Sequence, residues 1–216
     1  MLESKSEIRK TIAVLAAMLA LVLFAWARPR VAPVGEITAM RPDVRIQRGP
    51  DIVVAHKDDA VFLRDMVRTA GGGRVRIRLA DQSIISLGTD SEIRIRQLDA
   101  RSQRTNIEMV YGLIRMKIEH LTSDTGRFEL RTPVAVAGVI GTDFGADASD
   151  PNVTRFVCIG GTVELSNADP AVKGTVQCRG GFTTQVRTGQ PPDPPVPITD
   201  AQTERWQHIT DPDSNQ

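Results

Sequence analysis

Apolar side chains fall at every second position in several short runs of this chain. VRIQRG (44–49), RVRIRLA (74–80), SIISLG (83–88), EIRIRQL (92–98) and RFELR (127–131) all alternate in this way. A period of two sends successive side chains to opposite faces of a strand, so each run predicts a half-buried β-strand. In RVRIRLA, Val75, Ile77 and Leu79 are expected to face inward while Arg74, Arg76 and Arg78 face out. Three outward arginines on one strand either protect a sheet edge or bind an anion, which makes them a candidate binding surface. Gly71-Gly72-Gly73, Asp81-Gln82 and Gly88 to Asp90 supply reversals between these runs. EMVYGLIRMKIEHL (108–121) is ambiguous, because Val110, Leu113, Ile114 and Ile118 also suit a helix. Gly112 and the β-rich surroundings favour a strand. RFVCIGGTVELSN, VKGTVQCRGG and FTTQVRTG continue the series, each bounded by Gly or Asn. Many short strands at short spacing predict an all-β fold, a roll or two-layer β-sandwich, behind one N-terminal hydrophobic helix.

That helix is the uncharged run from Thr11 to Ala27, with Lys5, Arg9 and Lys10 before it and Arg28 after it. At ~1.5 Å per residue it reaches about 25 Å, just short of a ~30 Å hydrocarbon core. It reads as an inner-membrane anchor with residues 1–10 in the cytoplasm, or as a signal peptide cleaved after Ala25-Trp26-Ala27. Both readings place the remainder in the periplasm. The expected organisation is a cytoplasmic segment 1–10, the apolar segment 11–27, a tether 28–34, a β domain 35–190 and a Pro-rich tail 191–216 with a short helix. QPPDPPVP (190–197) ends the ladder, since Pro cannot donate to it. Beyond it, Thr199 and Gln202 form a capping box that starts the helix and lays Trp206 back on the domain.

Aromatic residues are only 4% of the chain, so the core must be aliphatic and β-branched. The net charge of +1 is unevenly spread: residues 28–131 hold 19 basic and 14 acidic side chains, whereas 132–216 hold 5 and 10. A basic half suits either a solvated face or a surface that meets an anionic cell-wall polymer. His56, His120 and His208 lie in separate segments without ligand spacing, so no metal is expected. GVIGTDFG (138–145) lacks the Lys of a phosphate loop and leads into no helix. No nucleophile elbow is present, and the acids sit mostly at turns. The pattern predicts no enzyme, no cofactor and no nucleic-acid partner. Cys158 and Cys178 are an even pair in an exported chain, which favours a disulfide; two buried free thiols are the other reading.

RTPVAVAGVIGTDF (131–144) joins a Pro and two glycines to an apolar run that carries no catalytic side chain. It reads as a structural crossing, with Val134, Val136 and Val139 inward and Gly138 and Gly141 where backbones pass closely. TPVAVAGVIGTDFGA followed by TRFVCIGGTVELSN closely resembles the FecR family, whose pattern is matched by Thr132, Pro133, Ala135, Gly138, Gly141, Thr142, Phe144, Gly161 and Val163. GGRVRIRLADQSIISLGTDSEIRI resembles the family's upstream strands, with Gln82 in place of the usual turn glycine. The resemblance extends over about residues 35–190. It implies an exported signalling module resembling the periplasmic part of ferric citrate regulators, with an unknown envelope protein as its partner. A module that holds peptidoglycan or another anionic polymer is the alternative. Family members that handle a sigma factor do so with several tens of cytoplasmic residues, and ten precede the apolar run here, so direct sigma-factor binding is not expected.

Overall fold

In the computed structural model, which describes residues 32–99, 104–118, 127–139 and 141–213, the alternating runs pair into two nine-stranded sheets. The apolar segment 11–27 and His120 lie outside these residues. Among the described residues no helix is long and apolar enough to cross a membrane. Pro33–Gln216 forms one compact unit.

Sheet A contains β1 (Gly35–Arg41), β4 (Ala60–Val61), β6 (Arg74–Leu79), β7 (Ile84–Leu87), β10 (Leu113–Lys117), β13 (Asp143–Asp150), β14 (Val153–Gly160), β17 (Phe182–Arg187) and β18 (Val196–Pro197). Sheet B contains β2 (Val44–Arg48), β3 (Asp51–Val54), β5 (Met66–Thr69), β8 (Ser91–Asp99), β9 (Arg104–Tyr111), β11 (Arg127–Arg131), β12 (Ala135–Val139), β15 (Thr162–Asn167) and β16 (Thr175–Arg179). Across sheet A the order is β18-β17-β14-β13-β10-β7-β6-β1-β4, and across sheet B it is β16-β15-β12-β11-β9-β8-β5-β2-β3. A helix, α1 (Asp200–Thr210), follows, with Thr199 and Gln202 forming its capping box.

The two sheets share one core of largely aliphatic side chains. Val75, Ile77 and Leu79 of β6 in sheet A, and Ile93 and Ile95 of β8 and Ile107 of β9 in sheet B, all lie in it essentially without solvent contact. Phe128, Phe144 and Phe156 supply the bulk that a core poor in aromatics would otherwise lack.

The run 108–121 is two strands rather than one. β9 lies in sheet B and β10 in sheet A, joined at Gly112, whose φ is +100°. A Cβ there would fall on the backbone of Asp90 and Ser91, so only glycine turns this corner. Ile107 and Met109 point inward before it, Ile114, Met116 and Ile118 after it. The corner shifts the alternation by one residue, and that shift produced the helix-like spacing. Because β10 is a single strand and not a hairpin, the chain re-enters sheet B in the direction in which it left. β11 therefore runs parallel to β9, the one parallel pair among the described strands.

Candidate functional site

The residues of the motif run first turn the chain between β11 and β12 of sheet B and then lead it to β13 of sheet A. Thr132 N–H donates to Ala135 O at 2.9 Å, and Ala135 N–H donates to Thr132 Oγ1 at 3.0 Å. Pro133, with its fixed φ, occupies the turn that these bonds close. Thr132 Oγ1 also lies 2.8 Å from Thr154 Oγ1 on β14, which ties the turn to the other sheet. Along β12, Ala135, Ala137 and Val139 face the core. Val136, expected inward, shares the outer face with Gly138, because the turn ends at Val134 and the inward parity restarts at Ala135. Open space surrounds Gly138 where a Cβ would stand, so no close crossing requires that glycine. The close approach is one corner later. Gly141 has φ +59° and Gly161 φ +77°, and a Cβ on Gly161 would come within 2.7 Å of the Gly141 carbonyl oxygen. Thr142 Oγ1 donates to Thr162 O at 3.1 Å, joining the same two crossings. Phe144 and Val163 complete the run as buried side chains, Phe144 beside Cys158 and Val163 beside Cys178 in the ladders. Gln82 also stands at positive φ, +69°, in the turn where the family pattern has glycine.

Cys158 of sheet A and Cys178 of sheet B are both buried and are free thiols. Cys178 Sγ donates to Phe182 O at 3.4 Å, and Phe182 is the ladder partner of Cys158. The hydrogen bond between the two sulfurs, together with burial, pushes the Cys158 thiol up.

The three candidate arginines point outward from β6, as their alternation predicts, and each meets a group of this same chain. Arg76 reaches Asp211 Oδ1 at 2.6 Å and Asp213 Oδ2 at 2.8 Å. Arg74 Nη1 donates to the Asp211 carbonyl at 3.2 Å, and Arg78 is ion-paired with Glu36. The alternation points to the arginines but not to their occupants: Asp211 lies 135 residues beyond Arg76, and Glu36 lies 42 before Arg78.

A site that the alternation could not reveal lies at the edge of sheet B. The four sheet edges are β4, β18, β16 and β3. β4 and β18 are two residues long, and β18 contains Pro197. β16 shows Thr175, Gln177 and Arg179 to solvent. These are devices that discourage strand addition. β3 has none of them: Ile52, Val53 and Val54 are 62%, 47% and 59% exposed. Its sequence, DIVV, does not alternate because both of its faces are open. Beside it a groove of about 270 Å³ runs over the outer face of sheet B, with Ile52, Met66 and Ala70 as its apolar lining and Arg45, Gln47 and Arg68 among its polar groups. Arg48, at the turn into β3, is held by Asp65 at 2.9 and 2.7 Å and stacks 4.3 Å over the Phe62 ring. The bond to Asp65 raises the Arg48 guanidinium above its ordinary value, so it stays charged. Among the described residues no group of three or more His, Cys, Asp or Glu side chains is placed to hold a metal ion.

Residues 65–164, within this frame of stacked crossings, match the family model described as FecR protein. The matched stretch runs from Asp65, before β5, into β15, and so lies inside the wider span of resemblance. Two crystal structures of a candidate anti-sigma factor from Parabacteroides distasonis ATCC 8503, at 2.50 and 1.65 Å resolution, have a similar fold, each with TM-score 0.55 and 15% identity. The likeness covers 66% of this chain and 64% of each of those chains, so this chain spans under two thirds of their length. No curated protein matches.

Proposed function

We propose that this chain is a non-catalytic docking module of the bacterial cell envelope, in which the FecR domain serves regulatory signalling by holding a partner protein at the β3 edge. One observation carries the reading: among the four edges of the described sheets, β3 alone shows three exposed aliphatic β-branched side chains. An extended polypeptide adds to such an edge through its main chain, and the neighbouring groove takes alternate side chains. The regulatory role comes from the FecR domain. The anti-sigma description belongs to the Parabacteroides structures, and it enters here as the proposal that the signal ends in transcription, without direct sigma-factor contact by this chain. Periplasmic placement, with residues 11–27 as an inner-membrane anchor or a cleaved signal peptide, is part of the same proposal. The nine motif residues, Thr132 to Val163, act as frame and touch no partner. The cell-wall alternative would use Arg74, Arg76 and Arg78, and the pairing of Arg78 with Glu36 on the neighbouring strand weighs against it.

A photo-crosslinking side chain at Ile52, compared in intact envelopes with one at Gln177 on β16, tests the reading. An adduct with an envelope protein at Ile52 and none at Gln177 is expected. Absence of the Ile52 adduct, together with salt-sensitive retention on purified sacculi that an Arg74→Ala, Arg76→Ala, Arg78→Ala variant loses, would overturn it in favour of the polymer.

A further inference from the structure

On the outer face of sheet A, Arg41 of β1 stands directly opposite Arg74 of β6, and Arg76 is two residues along. Like charges facing each other across a ladder are unfavourable, so this corner calls for an anion. The chain supplies one from its own C-terminal part. Asp211 caps the end of α1, and the turn Asp211-Pro212-Asp213 is closed by a hydrogen bond from Asp213 N–H to Asp211 Oδ1 at 2.9 Å. Two carboxylates of this turn meet Arg76 at 2.6 and 2.8 Å. Two of its carbonyls meet the other arginines: Arg41 Nε donates to Pro212 O at 2.9 Å, and Arg74 Nη1 to Asp211 O at 3.2 Å. Three guanidinium groups thus read both the side chains and the main chain of a short acidic turn. Charge-assisted contacts of this kind are directional and recognise carboxylates by geometry.

The basic surface continues past the turn. Arg76, Ser86 and Arg115 are consecutive partners across β6, β7 and β10, and the small Ser86 leaves a groove of about 200 Å³ between the two arginines, with Lys117 at its side and Thr210 and Asp211 bordering it. Arg115 is itself held by Asp143 at 2.8 Å. The helix that delivers the acidic turn rests on sheet A through Trp206, which packs against Gly145, where a Cβ would come within 2.6 Å of the ring. A space of about 410 Å³ remains next to it, lined in part by Leu113, Val157, Ile198 and Ile209.

We propose that Arg41, Arg74 and Arg76 form a binding site for an acidic peptide turn, filled in cis by Asp211–Asp213, and that its occupant in trans is an acidic segment of a partner protein. α1 and the turn after it then act as a displaceable cover. The charge complementarity already seen in cis defines the ligand: two carboxylates one residue apart, on a chain bent as Asp-Pro-Asp. The site lies on the opposite sheet from β3 and stands or falls independently of it.

The test uses the full chain with Asp211→Asn and Asp213→Asn, which keep the turn but remove its charge, and a labelled synthetic peptide of residues 198–213 as probe. Fluorescence anisotropy is expected to show the double variant binding the peptide at least tenfold tighter than the unaltered chain, with affinity falling as salt rises. Adding Arg76→Ala to the double variant is expected to weaken binding at least tenfold, and a peptide carrying the same two Asn residues is expected to lose it. Thermal unfolding of each variant confirms that the frame is intact, and Arg76→Lys serves where Arg76→Ala does not fold. Equal peptide binding by the double variant and the unaltered chain would overturn the proposal, as would indifference to Arg76. Growth of the unaltered chain into dimers by exchange of their acidic turns would replace the partner protein with a second copy.

Discussion

Both outer faces of the sandwich carry arginine at alternating positions, yet they balance it differently. On sheet B the counter-ions come from the same strand or the neighbouring one: Arg68 meets Glu92 at 2.6 Å, Arg94 meets Glu108 at 3.7 Å, and Arg131 meets Glu129 at 3.4 Å. On sheet A, Arg115 and Arg78 are paired in the same way, but the corner at Arg41, Arg74 and Arg76 depends on a turn beyond the last helix. A charge neutralised by its neighbour in the ladder is part of the frame and stays paired as long as the sheet exists. A charge neutralised by a separate segment can be uncovered while the sheet stays whole. That difference makes one arginine face a surface and the other a candidate site.

Both faces rest on corners that must hold first. Gly161→Val would force a β-branched residue to φ +77° and against the Gly141 carbonyl. It is expected to cost roughly 3–5 kcal/mol in urea unfolding; a cost below about 1 kcal/mol would mean that the two crossings separate freely. The sheets are also expected to be stapled. We propose that Cys158 and Cys178 join in an oxidising compartment by thiol–disulfide exchange, each sulfur losing its proton while a disulfide oxidant takes up the two electrons. The closed loop of about twenty residues contributes about 3 kcal/mol. Mass spectrometry of non-reduced periplasmic protein checks this, and two alkylatable thiols would end it.

Smaller effects divide the faces themselves. Asp65 is 1% exposed, takes two bonds from Arg48 and accepts Phe62 N–H at 2.9 Å. Asp65→Ala is expected to cost about 2–3 kcal/mol, whereas Asp211→Ala, at a half-exposed pair, should cost less than about 1 kcal/mol. Equal losses would erase the distinction between frame and cover. Last, the hydrogen bond from Arg96, joined by the charges of Arg96, Arg94 and Arg131, lowers the Glu108 carboxyl below its usual range. A depressed carboxylate stabilises the fold above its unfolded value of about 4.3 and loses that contribution as pH falls through the folded value. Urea midpoints from pH 7 to 3 should therefore fall less steeply in Glu108→Gln.

Strands with one wet and one dry face were legible in the sequence, since β6 and β8 write their inward positions as Val75, Ile77, Ile93 and Ile95. The crossing at 131–144 was legible as well, because Pro133 and Gly141 have backbone requirements that few residues meet. Its interior parity was not. Nothing local indicates that Val134 belongs to the turn, so Val136 was expected inward and faces out. Gly112 hid a corner because its cause, the backbone of Asp90 and Ser91, is about twenty residues away. β3 was missed for the opposite reason: an edge open on both faces has no period to detect. The meeting of Arg76 with Asp211 is a tertiary fact that no short-range pattern encodes.

The order of strands carries a consequence for how the molecule comes apart. After β6, each new strand pairs with one that lies only one, two or three places before it in the chain, so the fold grows sideways much as a repeat protein grows by stacking. In such a layered object stability is shared mainly between adjacent layers, and opening can begin at an end without passing through the middle. β17 and β18 are the last strands on that side of sheet A, and they can loosen while the ladder from β6 through β14 keeps its register.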